Sequence, residues 1–410
     1  MKFLLLLVLI TALHAKAPPD KANDATKALN SQTFVPKATM DGRPIGVVDS
    51  SESVAQSQST PTVAKSNIRM VEILQTMLTR LKPKEDDSLP KFAPNRALHP
   101  SEKDDNIPAL RQILYTLGYL KNLTDSPFFD MELEDAVKAF QASHCLNADG
   151  IIGKDTEDRI NWSYAKRIKM LNDSIEKLSQ LVFTDRTAIV NIPTYTLHAF
   201  AGNHIKMRMK IIVGRKDRQT PQMTSYVNAI EFNPAWVVPK TILFEDKIPE
   251  IIKDVHYIEK NKLQVFDHEN NEIDPSDVNW EEANEHNFPY VLEQESGKGN
   301  ALGRVKFNLL NKDDIYMHDT PLHHLFKSTP RALSSGCIRL EKPLHLAAWL
   351  LDEELSTIKD AIRTKETATV DLEKNLTVYI TYLPVLADEE DQSVLWGDDP
   401  YEQFTPQPQC

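Results

Sequence analysis

Near residue 185 the chain changes its periodicity, and that switch limits the folds open to it. Up to about 182, apolar residues recur at spacings of three and four. Ile68, Val71, Leu74, Leu78 and Leu81 form one such series, and Tyr164, Ile168, Leu171, Ile175, Leu178 and Leu181 another. That spacing lines one face of a helix. From 186 the pattern alternates, as in Ala188-Ile189-Val190-Asn191-Ile192 and Tyr195-Thr196-Leu197-His198-Ala199-Phe200. Alternation predicts strands joined by tight turns. Further strands are predicted at 207–213, 227–232, 305–309, 315–318 and 378–382, with helix over 343–363. The expected class is α+β and multidomain, with a helical N-terminal half and a mainly-β C-terminal half.

Within the helical half, segments 67–83 and 163–182 read as scaffold helices, the first stopped by Pro83. Between them, Leu110, Ile113, Leu114 and Leu117 form a stripe ended by Gly118. Leu133, Ala136, Val137 and Phe140 form a second, and Thr156 to Ile160 a short third. Three helices within 105–161 predict a small bundle, and the two scaffold helices are placed to clamp it. In the other half, residues of about 240–290 are charged, partly helical and interrupt the strand pattern. An insertion of that length suggests a lid. Residues 386–410 read as a C-terminal tail.

The ends of the chain bear on its compartment. Lys2 followed by the apolar run 3–13 and small residues around Ala15 predicts a signal peptide over 1–15. A flexible leader rich in Ala, Ser, Thr and Pro is expected over 16–66. No later stretch reaches transmembrane length, so the mature chain is expected outside the cytoplasm without a membrane span. The formal net charge of −12 over 410 residues argues against binding nucleic acid by phosphate neutralisation.

The three cysteines, Cys145, Cys337 and Cys410, are an odd set for an oxidising compartment. A bridge between Cys145 and Cys410 is a candidate, which leaves Cys337 free. Its setting, Ser334-Ser335-Gly336-Cys337-Ile338-Arg339-Leu340, suits an activated thiol. Gly336 leaves backbone amides accessible, so Cys337 N–H, with Gly336 or Ser335 N–H, is a candidate oxyanion donor. Arg339 brings positive charge able to lower a thiol pKa. His318, nineteen residues earlier at the end of a predicted strand, is the candidate base. A histidine hydrogen-bonded at a sheet edge is the bland alternative, and the nearby cysteine weighs against it. His323 and His324 on the intervening loop are expected in solvent. The His/Cys spacing fits no common zinc pattern, so no metal and no cofactor are expected.

Two resemblances join these observations. Leu117-Gly118-Tyr119-Leu120, Ala136-Val137-Lys138-Ala139-Phe140-Gln141 and Asp149-Gly150-Ile151-Ile152-Gly153 resemble the signature segments of the peptidoglycan-binding domain of cell-wall hydrolases. Cys145 stands where a glycine is common in that family. Ile315-Tyr316-Met317-His318-Asp319-Thr320-Pro321 and the Cys337 segment resemble the active-site segments of L,D-transpeptidases with a YkuD-type catalytic domain. The nearest subgroup is the large YcbB-type enzymes of Gram-negative bacteria. Val190-Asn191-Ile192-Pro193, Val213-Gly214-Arg215 with Thr220-Pro221, Asn233-Pro234-Ala235-Trp236 and Asn300 to Phe307 agree with it. Many relatives carry histidine where this chain has Ser335, which leaves His318 as the base.

The resemblance implies a β-rich sandwich over 185–385 with 240–290 as a capping region. It implies Cys337 as nucleophile, His318 as base, and Gly336 with Cys337 amides as oxyanion hole. Tyr316, Ser334, Ser335, Arg339 and Trp236 would line the substrate site. The implied partners are peptidoglycan stem peptides, a donor tetrapeptide and an amine acceptor, at a periplasmic, wall-associated location. The implied reaction is 3→3 cross-linking through a cysteinyl thioester with release of D-alanine. L,D-carboxypeptidase action, protein attachment or D-amino-acid exchange would share its first step. A non-catalytic wall-binding protein is the competing class.

Overall fold

The computed structural model describes residues 66–202 and 204–404. The predicted signal peptide, the predicted leader up to 65, and Cys410 with its candidate bridge lie outside the described residues. Helix α1, Ser66–Leu81, ends where Pro83 enters a short 3₁₀ turn. The small bundle comprises α2 (Ile107–Leu117), α3 (Met131–Ser143) and α4 (Lys154–Ile160). Gly118 terminates α2 in the left-handed conformation, φ 90°, which suits a residue without Cβ. Asp130 caps α3 by accepting from Leu133 N at 3.0 Å, and Ser163 caps α5 (Tyr164–Ser179) by accepting from Lys166 N at 3.1 Å. The scaffold helices α1 and α5 pack together, as their stripes predict. Their Met70, Leu74, Ile168 and Leu171 share one core with Leu110, Leu114, Leu133 and Phe140 of the bundle.

The second half begins with β1 (Arg186–Asn191), β2 (Thr196–Ala201), β3 (His204–Gly214) and β4 (Met223–Phe232). After the insertion come β9 (Val305–Leu309), β10 (Met317–His318), β11 (Ala332–Ser334) and β12 (Ile338–Leu340), with the insertion's own strands taking β5 to β8 below. Helices α7 (Pro343–Leu350) and α8 (Leu355–Arg363) precede β13 (Ala368–Thr381). The strand order is β11-β3-β12-β10-β9-β4-β13-β1-β2, and β2 also pairs with β3. The expected sandwich therefore closes on itself as a mixed barrel. Inward residues such as Val190, Val213, Phe307, Met317, Ile338 and Val378 fill it. Ile189 and Phe200, which alternate with them, point outward into the helical core. The sheet is thus buried on both faces there. β13 is much longer than the predicted 378–382, because its first half is largely exposed and charged and carries no clean alternation.

The insertion is a unit of its own. β5 (Trp236–Val237), β6 (Leu263–Phe266), β7 (Glu272–Ile273) and β8 (Val291–Gln294) form a four-stranded sheet. A π-helical turn, Leu243–Lys247, and α6 (Ile248–Lys253) lie on it. Trp236, Leu243, Ile251, Val265, Trp280 and Leu292 make its core. Its strands of two to four residues are too short to show a period in sequence.

The C-terminal segment differs from the expected tail. β14 (Val385–Asp388) and β15 (Ser393–Trp396) form a hairpin. Val385, Leu386, Ala387, Val394 and Trp396 enter the helical core. The acidic turn 388–391 between them masks this apolar content in sequence.

Candidate active site

Three neighbouring strands set the site. β10 pairs with β9 on one side and with β12 on the other, in registers that place Lys306, His318 and Arg339 in one row. Met317 and Ile338, on the opposite face, are buried in the barrel core. The side-chain period of two therefore turns His318 and Arg339, with Tyr316 and Cys337 two residues before them, to the outer face. Ile338 N donates to Tyr316 O at 3.0 Å, so Tyr316 stands across from Cys337. Tyr316 and His318 rings meet edge to face, 5.5 Å between centroids. The structure thus gathers His318, Cys337, Tyr316 and Arg339 on one face, where Tyr316 packs against the core of the inserted unit.

The loop between β11 and β12 is held from within. Ser334 Oγ donates to Cys337 O at 2.6 Å and accepts from Gly336 N at 3.2 Å. Gly336 has φ +117°, a region that disfavours side chains. Its amide is engaged by Ser334, so it is not free to serve as an oxyanion donor in this state. Among the described residues no acceptor engages the Cys337 amide. The Cys337 thiol donates to Asp314 O at 3.8 Å. His318 is buried, and its Nδ1 has no hydrogen-bond partner among the described residues.

Charge and burial oppose each other here. Burial, helped by Arg339 and Lys306, holds the His318 imidazole neutral and pulls its pKa to about 3. Burial also raises the Cys337 thiol above its ordinary value. Tyr316, Arg339 and Lys306 pull that thiol down, but burial outweighs them. Arg339 therefore acts in the direction its sequence position suggests without prevailing. On this face the thiol and the imidazole are both neutral at rest, and the thiol's hydrogen-bond partner is Asp314 O rather than the imidazole. Such a pair suits proton transfer during attack rather than a preformed thiolate.

The remaining predicted residues lie around this pair. Trp236 belongs to the capping core, against which Tyr316 packs. Ser335 Oγ accepts from Arg218 Nη1 at 3.1 Å and Arg215 Nη1 at 3.4 Å. Arg218 in turn grips Asp246 through Nη1 at 2.6 Å and Nη2 at 2.9 Å, and Glu245 through Nε at 3.1 Å. This guanidinium ties the capping unit to the thiol loop. His323 and His324 are exposed, as expected for that loop. No group of three or more potential metal-ligating side chains occurs among the described residues. Arg218 carried no motif in sequence, and Lys306 appears there only within a resembling segment. Both become visible through register and packing.

Two family models match. An "L,D-transpeptidase catalytic domain" covers 185–379, and a "Putative peptidoglycan binding domain" covers 103–160. A "Putative L,D-transpeptidase" of Haemophilus influenzae is 36% identical over 197 residues, 47% of this chain and 40% of that protein. A "Probable CtpA-like serine protease" of Staphylococcus epidermidis is 34% identical over 96 residues, 22% of this chain and 19% of that protein. The chain thus spans less than half the length of these curated relatives. The crystal structure of an L,D-transpeptidase from Stackebrandtia nassauensis matches at 14% identity and a TM-score of 0.29, over 70% of this chain and 97% of that one. No described helix is long and apolar enough to cross a membrane. The chain therefore carries a catalytic domain of the YkuD family of L,D-transpeptidases, preceded by a peptidoglycan-binding domain.

Proposed function

We propose that the protein is an exported peptidoglycan L,D-transpeptidase that forms 3→3 cross-links through a thioester on Cys337. The observation that supports this most is the outer-face cluster of Cys337, Tyr316, His318 and Arg339, with a His318 Nδ1 that has no hydrogen-bond partner among the described residues. In the first step His318 takes the thiol proton as sulfur attacks the carbonyl of the third stem residue. The C–S bond forms, and the C–N bond to terminal D-alanine breaks. D-Alanine departs as an amine carrying the proton from His318. In the second step a side-chain amine of a neighbouring stem attacks the thioester. A new amide forms, and the thiol recovers its proton. The thioester conserves the acyl energy, so the reaction needs no cofactor. The Cys337 amide, which meets no acceptor among the described residues, would donate to the tetrahedral oxyanion. Tyr316, Trp236 and Ser335 would bound the stem-peptide cleft beneath the capping unit. The peptidoglycan-binding domain and the N-terminal apolar run support a wall-associated, periplasmic setting.

The test is mass spectrometry after incubation with a tetrapeptide-stem disaccharide. A thioester adduct absent from Cys337→Ala, followed by dimeric product, is expected. Adduct with tripeptide as sole product would reassign the protein as a carboxypeptidase. Retained wall binding with neither adduct nor released D-alanine would reduce it to a wall-binding protein.

A further inference from the structure

The loop that presents Cys337 is braced by a second loop and by the C-terminal segment. Thr220 Oγ1 donates to Gly336 O at 2.6 Å and accepts from Gly214 N at 2.9 Å. Thr220 N donates to Tyr401 Oη at 3.0 Å, and Tyr401 Oη donates to Gly214 O at 2.8 Å. A Cβ on Gly214 would lie 2.7 Å from Thr220 N, so only glycine lets these segments meet. Tyr401 is fixed in turn. Its amide donates to Tyr382 Oη at 3.0 Å, which donates to Asp399 Oδ1 at 2.6 Å. Thr220 and Tyr401 are both buried. Tyr401 lies beyond the residues matched by the catalytic-domain family.

A trans peptide is planar, so its C=O and N–H point in opposite directions. Holding Gly336 O on Thr220 therefore fixes where Cys337 N–H points, which is away from the 214–220 loop. That amide meets no acceptor among the described residues. We infer that Thr220, backed by Tyr401, is a positioning residue that orients the Gly336–Cys337 peptide so that the Cys337 amide serves as oxyanion donor. The inference rests on the thioester reading above. It adds that the C-terminal segment completes the catalytic loop. Neither residue touches substrate; both act through the peptide plane.

The experiment compares two reactions of the same thiol in the full chain. Acylation of Cys337 by a carbapenem passes through a tetrahedral oxyanion, whereas alkylation by iodoacetamide does not. Thr220→Val should slow acylation about 10- to 100-fold, somewhat less than deleting an oxyanion donor outright. Its alkylation rate should stay within about twofold, because that reaction needs no such donor. Thr220→Ser restores the hydroxyl and should recover acylation. Tyr401→Phe should give a smaller loss of the same selective kind. Wild-type acylation in folded Thr220→Val or Tyr401→Phe overturns the inference, as does a parallel fall of both rates. Should Thr220→Val fail to fold by circular dichroism, Tyr401→Phe decides alone on the same criterion. A wild-type protein that alkylates at Cys337 but accepts no acyl group from carbapenem or tetrapeptide would take down the thioester reading and this inference with it.

Discussion

His144 and His318 are both buried, one in the helical half and one on the barrel, and they are treated differently by their surroundings. His144 Nε2 lies 3.0 Å from Arg167 Nη1, which can only donate, so Nε2 accepts. Its Nδ1 then donates to Phe140 O at 2.8 Å. The ring also stacks on Phe140 and Trp396. Every valence of that imidazole is used to join the small bundle, α5 and the C-terminal hairpin. Among the described residues His318 leaves Nδ1 without a hydrogen-bond partner, and beside it Arg339 Nε has none either, while Asp319 Oδ1 has only His323 Nε2, 3.6 Å away. A buried polar group without a partner costs about 1–3 kcal/mol. The helical half pays little of this, and the barrel face keeps several such groups in one place. An orphaned imidazole alone does not mark a reaction centre. His198, buried near Asp388 and Arg208, also has both nitrogens without a hydrogen-bond partner among the described residues. What distinguishes His318 is its place on one face with Cys337.

The contrast is most exposed to failure in the two histidines themselves. His318→Asn should lower acylation of Cys337 by about 10²–10⁴-fold, the usual worth of a general base. Its melting temperature should fall less than that of His144→Ala, because Nδ1 has no hydrogen-bond partner among the described residues and one ring contact, with Tyr316, is lost. His144→Ala should do the reverse. It removes two hydrogen bonds and two ring contacts, costing about 2–4 kcal/mol of stability. Activity per folded molecule should stay within about twofold, since no reacting group has been touched. Paired thermal melts and acylation rates check both. A His318→Asn variant that unfolds while keeping its acylation rate would erase the distinction.

Much of this arrangement is legible in sequence, and the illegible parts have physical reasons. The stripes in α1, α2, α3 and α5 and the alternation in β9 follow from one-sided burial, whereas β1 and β2 are buried on both faces and show as short apolar runs. His318 and Cys337 announce themselves by residue type and setting. Arg218, Thr220 and Tyr401 do not, because their roles come from contacts across long separations. Tyr401 sits 181 positions from its partner Thr220, in a polar stretch without a period. The closure of the barrel through β2 and β3 is likewise a matter of twist and register rather than of pattern.

Acidity acts on both buried histidines in the same direction. An ordinary histidine titrates near pH 6.5, and His318 in the folded protein only near 3. The folded pKa is depressed, so the unfolded chain takes up the proton first. Stability is therefore lost as pH falls from about 6.5 toward 3, by about 1.4 kcal/mol per unit for this group. His144 is also held well below its ordinary value, and the loss adds. Catalysis should show no inflection near pH 6.5, because His318 stays neutral there. Alkylation of Cys337 should still be rising at pH 9, since its thiol pKa is raised. Rates that level off near neutrality would signal a preformed thiolate pair and contradict the resting state described above.

The smallest expected effect lies where the capping unit meets the thiol loop. Asp246 is more than a third exposed, so its pair with Arg218 is screened by solvent and should be worth about 0.5–1 kcal/mol. Glu245 still grips the same guanidinium in Asp246→Asn, which limits the damage further. Arg218 nevertheless also holds Ser335, so a looser grip reaches the loop that carries the nucleophile. Hydrogen exchange should accelerate several-fold over Leu243–Lys253, consistent with a loss of this size, and remain unchanged in β9. KM for the tetrapeptide donor should rise a few-fold, with the alkylation rate of Cys337 unaltered. Exchange that accelerates equally in β9 would mean that the clasp supports the barrel itself. The capping unit would then be a structural part of the barrel face rather than a cover over it.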